Sequence, residues 1–143
     1  MQPAASMAGP VLLGPPVTDA VVTSLFGYRV DPLGGAAPEF HAGLDYGSPC
    51  GAGVQAAGAG HVIEAGWHPY GGGLRVVVDH GGHLQTTYNH LSVLEAPVGA
   101  PVQPGALLGT VGSTGNSTGC HLHFEVLVDA QKVDPLPWLR SSG

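Results

Sequence analysis

Five residues of this chain have the types and spacing to do chemistry. They are His41 and Asp45 in His41-Ala42-Gly43-Leu44-Asp45, His90 after Tyr88-Asn89, and His121 and His123 in His121-Leu122-His123. Two histidines and a carboxylate can hold a catalytic zinc and leave one position open to water. Five candidates exceed the three ligands needed, so the surplus histidines become candidates for proton transfer and charge stabilisation. The chain has eight histidines; His61, His68, His80 and His83 have no partner motif and read as structural or surface residues.

These residues need elements that aim them. Leu122, Phe124, Val126 and Val128 fall at every second position, which predicts a β-strand with His121, His123 and Glu125 on its other face. His41 and Asp45 sit in a short segment with Gly43 inside and Gly47 and Pro49 after it, so a helix is not expected there. In a straight strand the two would lie roughly 13 Å apart, and they can share an ion only if the chain bends, as Gly43 permits. Leu74 to His80 is the clearest strand, Gly81-Gly82 its turn, and Leu84 to His90 returns as a hairpin with His90 at the strand end. Val54 to Ala65 fits two short strands, Trp67 to Gly73 a glycine-rich loop, and Val98 to Gly109 a series of turns. Thr110 to Gly119 is a loop that can line a groove with backbone donors, and Val133 to Leu139 a closing segment. Residues 1–20 read as a Pro/Ala/Gly-rich arm with little core of its own, residues 33–38 as a loop, and residues 21–143 as the domain proper.

The totals agree with one all-β, mainly antiparallel domain. Of 143 residues, 24 are Gly and 13 Pro, yet 43% are hydrophobic, which fits short strands joined by tight turns better than disorder. A net charge of −6 with four basic residues leaves no basic face for nucleic acid. No run of 18 apolar residues spans a membrane, and the first residues lack the basic start of a signal peptide.

The chain resembles the lysostaphin-type (LytM-like) zinc endopeptidases of bacterial peptidoglycan. The resemblance rests on Phe26-Gly27-Tyr28-Arg29 with Asp31-Pro32, His41-x-x-x-Asp45, and Tyr88-Asn89-His90-Leu91. It continues through Gly112-Ser113-Thr114-Gly115-Asn116-Ser117-Thr118-Gly119, His121-Leu122-His123-Phe124-Glu125 and Asp134-Pro135, in family order over about Val21 to Leu139. It implies one zinc held by His41, Asp45 and His123, with His90 and His121 catalytic but not ligands. It further implies a compact β-sheet or sandwich of the duplicated hybrid motif type, with a substrate groove across one sheet. The substrate implied is the peptide part of peptidoglycan, stem or cross-bridge, cut outside the cell or at the wall. The family includes secreted autolysins, bacteriocins and phage lysins; a monomer is expected. Zinc would supply an activated water near neutral pH, and His90 and His121 the proton transfers.

Three rival readings fit the sequence less well. A silent wall-binding module on the same fold is opposed by the intact ligand set. A non-haem iron oxygenase commonly shows a tighter His-x-Asp spacing. A biotinyl or lipoyl carrier needs its lysine at a hairpin tip, and the lone Lys132 lies far from the turns around Val98 to Val111. Separately from the resemblance, Cys50 and Cys120 each lie a few residues from a proposed ligand and are expected to form a disulfide. It would close a loop of roughly 70 residues worth about 4 kcal/mol.

Overall fold

A computed structural model describes residues 12–29 and 39–140; of Arg29 only the backbone is described. Asp31-Pro32, the loop expected over 33–38 and the arm before Leu12 lie outside the described residues. Among the described residues twelve strands follow one another: β1 Val21–Ser24, β2 Gly27–Arg29, β3 Glu39–His41, β4 Leu44–Gly47, β5 Gly53–Gln55, β6 Gly60–His68, β7 Gly73–Gly81, β8 Leu84–Leu94, β9 Pro101–Val102, β10 Leu107–Val111, β11 His121–Val128 and β12 Gln131–Val133. A short 3-10 turn, Leu136–Trp138, closes the chain. All the strand pairings are antiparallel.

The main sheet runs β1-β4-β11-β8-β7-β6-β9, with β12 beside β11, and with β10 joining β8 to β5; β2 and β3 form a separate ribbon. One face of the sheet builds the core. Leu122, Phe124 and Val126 of β11, Tyr88 of β8, Val76 and Val78 of β7 and Leu44 of β4 are fully buried. The alternation read in β11 therefore places its apolar set inward and leaves His121 and His123 on the opposite face.

Strands β9 and β10 lie where turns and a loop were expected, and three further details differ from the reading of the sequence. β8 does not end at His90 but runs on to Leu94. β6 reaches His68, so Trp67 and His68 belong to a strand and the loop before β7 is shorter. The described part of the arm is not peripheral: Leu13 and Val17 are buried in the core, and the Leu13 N–H donates to the Trp138 carbonyl at 2.7 Å. Leu13 also pairs with Leu139 as an isolated bridge. Proline-rich composition signals an extended chain, but an extended chain can still insert a side chain at every turn of its path.

Candidate metal and catalytic centre

β11 lies between β4 and β8, and its register sets the site. His123 stands opposite Asp45 on one side and Asn89 on the other. His41 ends β3, and the chain bends at Ala42-Gly43 before β4 begins. That bend brings His41 Nε2 to 3.2 Å from Asp45 Oδ2. Gly43 earns its place by space: a Cβ there would meet the Phe124 carbonyl oxygen at 2.5 Å and His123 Cε1 at 2.9 Å. His41, Asp45 and His123 thus form a cluster whose ligand-type atoms all lie within 4.8 Å of one another.

The hydrogen bonds around this cluster show what it could hold. His41 Nδ1 lies 2.9 Å from the Leu25 carbonyl, which can only accept, so the proton sits on Nδ1. Its Nε2 is turned toward the Asp45 carboxylate, so the two offer ligand-type atoms to a common point. His123 lies between two carboxylates, with Nδ1 2.9 Å from Asp45 Oδ1 and Nε2 3.0 Å from Glu125 Oε2. Burial opposes its positive charge, but the hydrogen bonds and charges of Asp45 and Glu125 outweigh burial and hold His123 up to about 9. Burial also opposes the Asp45 carboxylate, and His123, with His41 and His121, more than offsets it, leaving Asp45 below its ordinary value. The donor set, two imidazole nitrogens and a carboxylate, fits a zinc ion, and each imidazole keeps its second nitrogen on an acceptor.

His90 and His121 flank the cluster. His90 sits where β8 changes partner: residues 84–89 pair with β11, and Leu91, Val93 and Leu94 pair with β10 along the same edge. The switch bends the backbone at His90 into the left-handed region, φ 67°. Its N–H donates to the Gly72 carbonyl at 2.7 Å and its Nδ1–H to the Thr114 carbonyl at 2.7 Å. His121 Nδ1–H donates to the Gly119 carbonyl at 2.9 Å, with Ser117 Oγ at 3.2 Å. Both rings, when neutral, therefore present Nε2 as an open acceptor. Burial, assisted by His121 and His123, holds His90 below its ordinary value despite its bond to Thr114. Cys50 and Cys120 are disulfide-bonded with Cα atoms 5.3 Å apart, tying the residue before His121 to the chain after β4.

A cleft of about 500 Å³ opens over these residues. His68, Tyr70, Arg75, Asn116 and Lys132 also line it. Of these, His68 lines the cleft although its isolated context in the sequence points to a surface or structural residue. The signal for Glu125 was present, since it shares a strand face with His123, but its burial was not foreseen.

Residues 39–135 match the description of peptidase family M23. The chain belongs to peptidase family M23. Peptidases of this family are zinc metalloenzymes. Lysostaphin from Staphylococcus simulans is 38% identical over 123 residues, covering 82% of this chain and 25% of that protein. The DD-carboxypeptidase/endopeptidase Mpg of Neisseria meningitidis serogroup B is 37% identical over 121 residues, covering 85% of this chain and 27% of its own length. A crystal structure of a zinc containing peptidase from Vibrio cholerae superposes with a TM-score of 0.75 at 36% identity, over 88% of this chain and 39% of that chain. This M23 chain spans about a quarter of the length of the curated relatives it matches. No helix among the described residues is long and apolar enough to cross a membrane.

Proposed function

We propose that this chain is a zinc-dependent endopeptidase that hydrolyses peptide bonds in bacterial cell-wall peptidoglycan, with residues 21–143 as its catalytic unit. The observation that carries the reading is the convergence of ligand-type atoms of His41, Asp45 and His123 within 4.8 Å of one another, in a chain of family M23. His41, Asp45 and His123 would hold the ion. A zinc ion held there would supply a water whose pKa is lowered from 15.7 to about 7 and a Lewis acid for the scissile carbonyl.

The remaining work falls to His90 and His121. Both carry their proton on Nδ1, fixed by a main-chain carbonyl, so a neutral ring offers Nε2 to the cleft. One, as the neutral ring, accepts a proton at Nε2 from the attacking water and delivers it to the leaving amine; the other can donate to the oxygen of the tetrahedral adduct only as the imidazolium, through Nε2–H. Lowering of the His90 pKa favours the neutral ring that a base requires. Products are a new carboxylate and a new amine, at a stem-peptide or cross-bridge bond. We place the enzyme, as a monomer, outside the cell or at the wall, reached by secretion or from a phage particle.

Digestion of purified walls of several chemotypes tests this. New amino groups should appear without new reducing sugar ends, chelation should stop the release and zinc restore it. Reducing ends alone would assign the chain to glycan cleavage. Metal bound without any turnover would assign it to wall binding.

A further inference from the structure

Glu125 is the one acidic side chain buried among the described residues, and neither proton transfer nor the metal ligand set uses it. A carboxylate loses its hydration on burial and stays charged only where partners replace the water. Glu125 has three. Thr87 Oγ1–H donates to Oε1 at 2.8 Å, Lys132 Nζ lies 3.2 Å from Oε2, and His123 Nε2 lies 3.0 Å from the same oxygen. Thr87 is held in turn: Asn89 Nδ2 donates to Thr87 Oγ1 at 2.9 Å and to the His123 carbonyl at 3.0 Å. The bonds close a ring that runs from the His123 carbonyl through Asn89, Thr87 and Glu125 to the His123 imidazole.

A ring of this kind fixes both rotations of the His123 side chain. With Nε2 on Glu125, Nδ1 can point only toward Asp45 and His41. We infer that Glu125, locked by Thr87 and by the ammonium of Lys132, is the positioning residue that turns His123 toward the ion. This rests on the reading of His123 as a metal ligand. Lys132 gains a purpose from the same geometry. β12 folds back on β11 through the turn at Asp129-Ala130, placing the chain's single lysine over the buried carboxylate.

The test measures zinc affinity by competition with a chromophoric chelator, the visible absorption of the cobalt-substituted protein, and the melting of the metal-free protein. Glu125→Leu should weaken zinc binding by about 10- to 100-fold, the range for partners of metal-bound imidazoles. Its metal-free melting should stay close to the wild type, because an apolar side chain of similar volume replaces a buried charge. Glu125→Gln keeps an acceptor at the same reach and should lose less affinity than Glu125→Leu. The cobalt band of both variants should change shape as the ring loosens. Wild-type affinity and spectrum in both variants would overturn the inference, as would affinity lost only in step with folding stability. If Glu125→Leu does not fold, wild-type affinity in Glu125→Gln overturns it alone. A wild-type protein that takes up no zinc would instead defeat the reading of His123 as a ligand, and this inference with it.

Discussion

The rings of His90 and His121 stand with centroids 4.8 Å apart, each with Nδ1 bonded to a main-chain carbonyl. Neither is in the cluster of His41, Asp45 and His123. His123→Ala is therefore expected to purify with little zinc. His90→Ala and His121→Ala should keep zinc near the wild-type level and slow hydrolysis by roughly 100-fold or more. Zinc content and turnover on the same batches check this; metal lost from His121→Ala and kept in His123→Ala would invert the roles.

Gly43 gives a prediction about stability and metal together. Its Cβ position is occupied by the Phe124 carbonyl and the His123 ring. Gly43→Ala must push β4 away from β11 or turn His123, at a cost of about 1–3 kcal/mol, typical of overpacking. Urea unfolding should show the loss, and zinc affinity should fall with it. A stable variant with full affinity would mean that the contact is slack.

His80 predicts a pH dependence remote from the site. The Ala57 N–H donates to Tyr88 Oη, Tyr88 O–H to Thr86 Oγ1, Thr86 O–H to His80 Nε2, and His80 Nδ1–H to the Ala59 carbonyl. These roles hold with the His80 ring neutral, the form that its burial favours. Burial lowers its pKa against the opposing bond to Ala59 and the charge of Asp79. A folded value below the unfolded value of about 6.5 means that the unfolded chain binds more protons between the two. The stabilisation is present above about pH 6.5 and is lost as pH falls toward the folded value. Wild type minus His80→Gln stability, measured in urea from pH 7.5 down to 5, should shrink with acid; a constant difference would dismiss the relay.

The turn between β11 and β12 carries an avoidable strain. Asp129 and Ala130 both have positive φ, 50° and 65°. Two such residues in a two-residue hairpin favour Asp-Gly or Asn-Gly. Ala130→Gly should stabilise the fold by about 1 kcal/mol, read as a higher urea midpoint with an unchanged slope. A lower midpoint would show that the added freedom of the unfolded glycine outweighs the relief.

What could be read beforehand followed the physics of local pattern. Alternation in β11 is a period-2 signal, and it placed Phe124 inward and His123 outward. Glycines marked the β7–β8 turn. Other features leave no such mark. His90 interrupts a strand through a change of partner, and only the pairing of β8 with β10 reveals that it lies mid-strand. Glu125 and Lys132 meet around a hairpin, where the spacing depends on register. Leu13 is buried in the core and bridges to Leu139, a pairing that no short window along the sequence contains.

The place of β11 between β4 and β8 also governs when the site can exist. His123 and Asp45 meet across 78 residues, and the strand that joins them follows β3, β4 and β8 in the chain. Pairings so distant close slowly, because the loop entropy is spent before the contacts reward it. A nascent chain that has reached β10 holds Asp45 and His41 but no His123, so it cannot complete the donor set. The donor set is thus complete only once β11 has emerged and paired with β4.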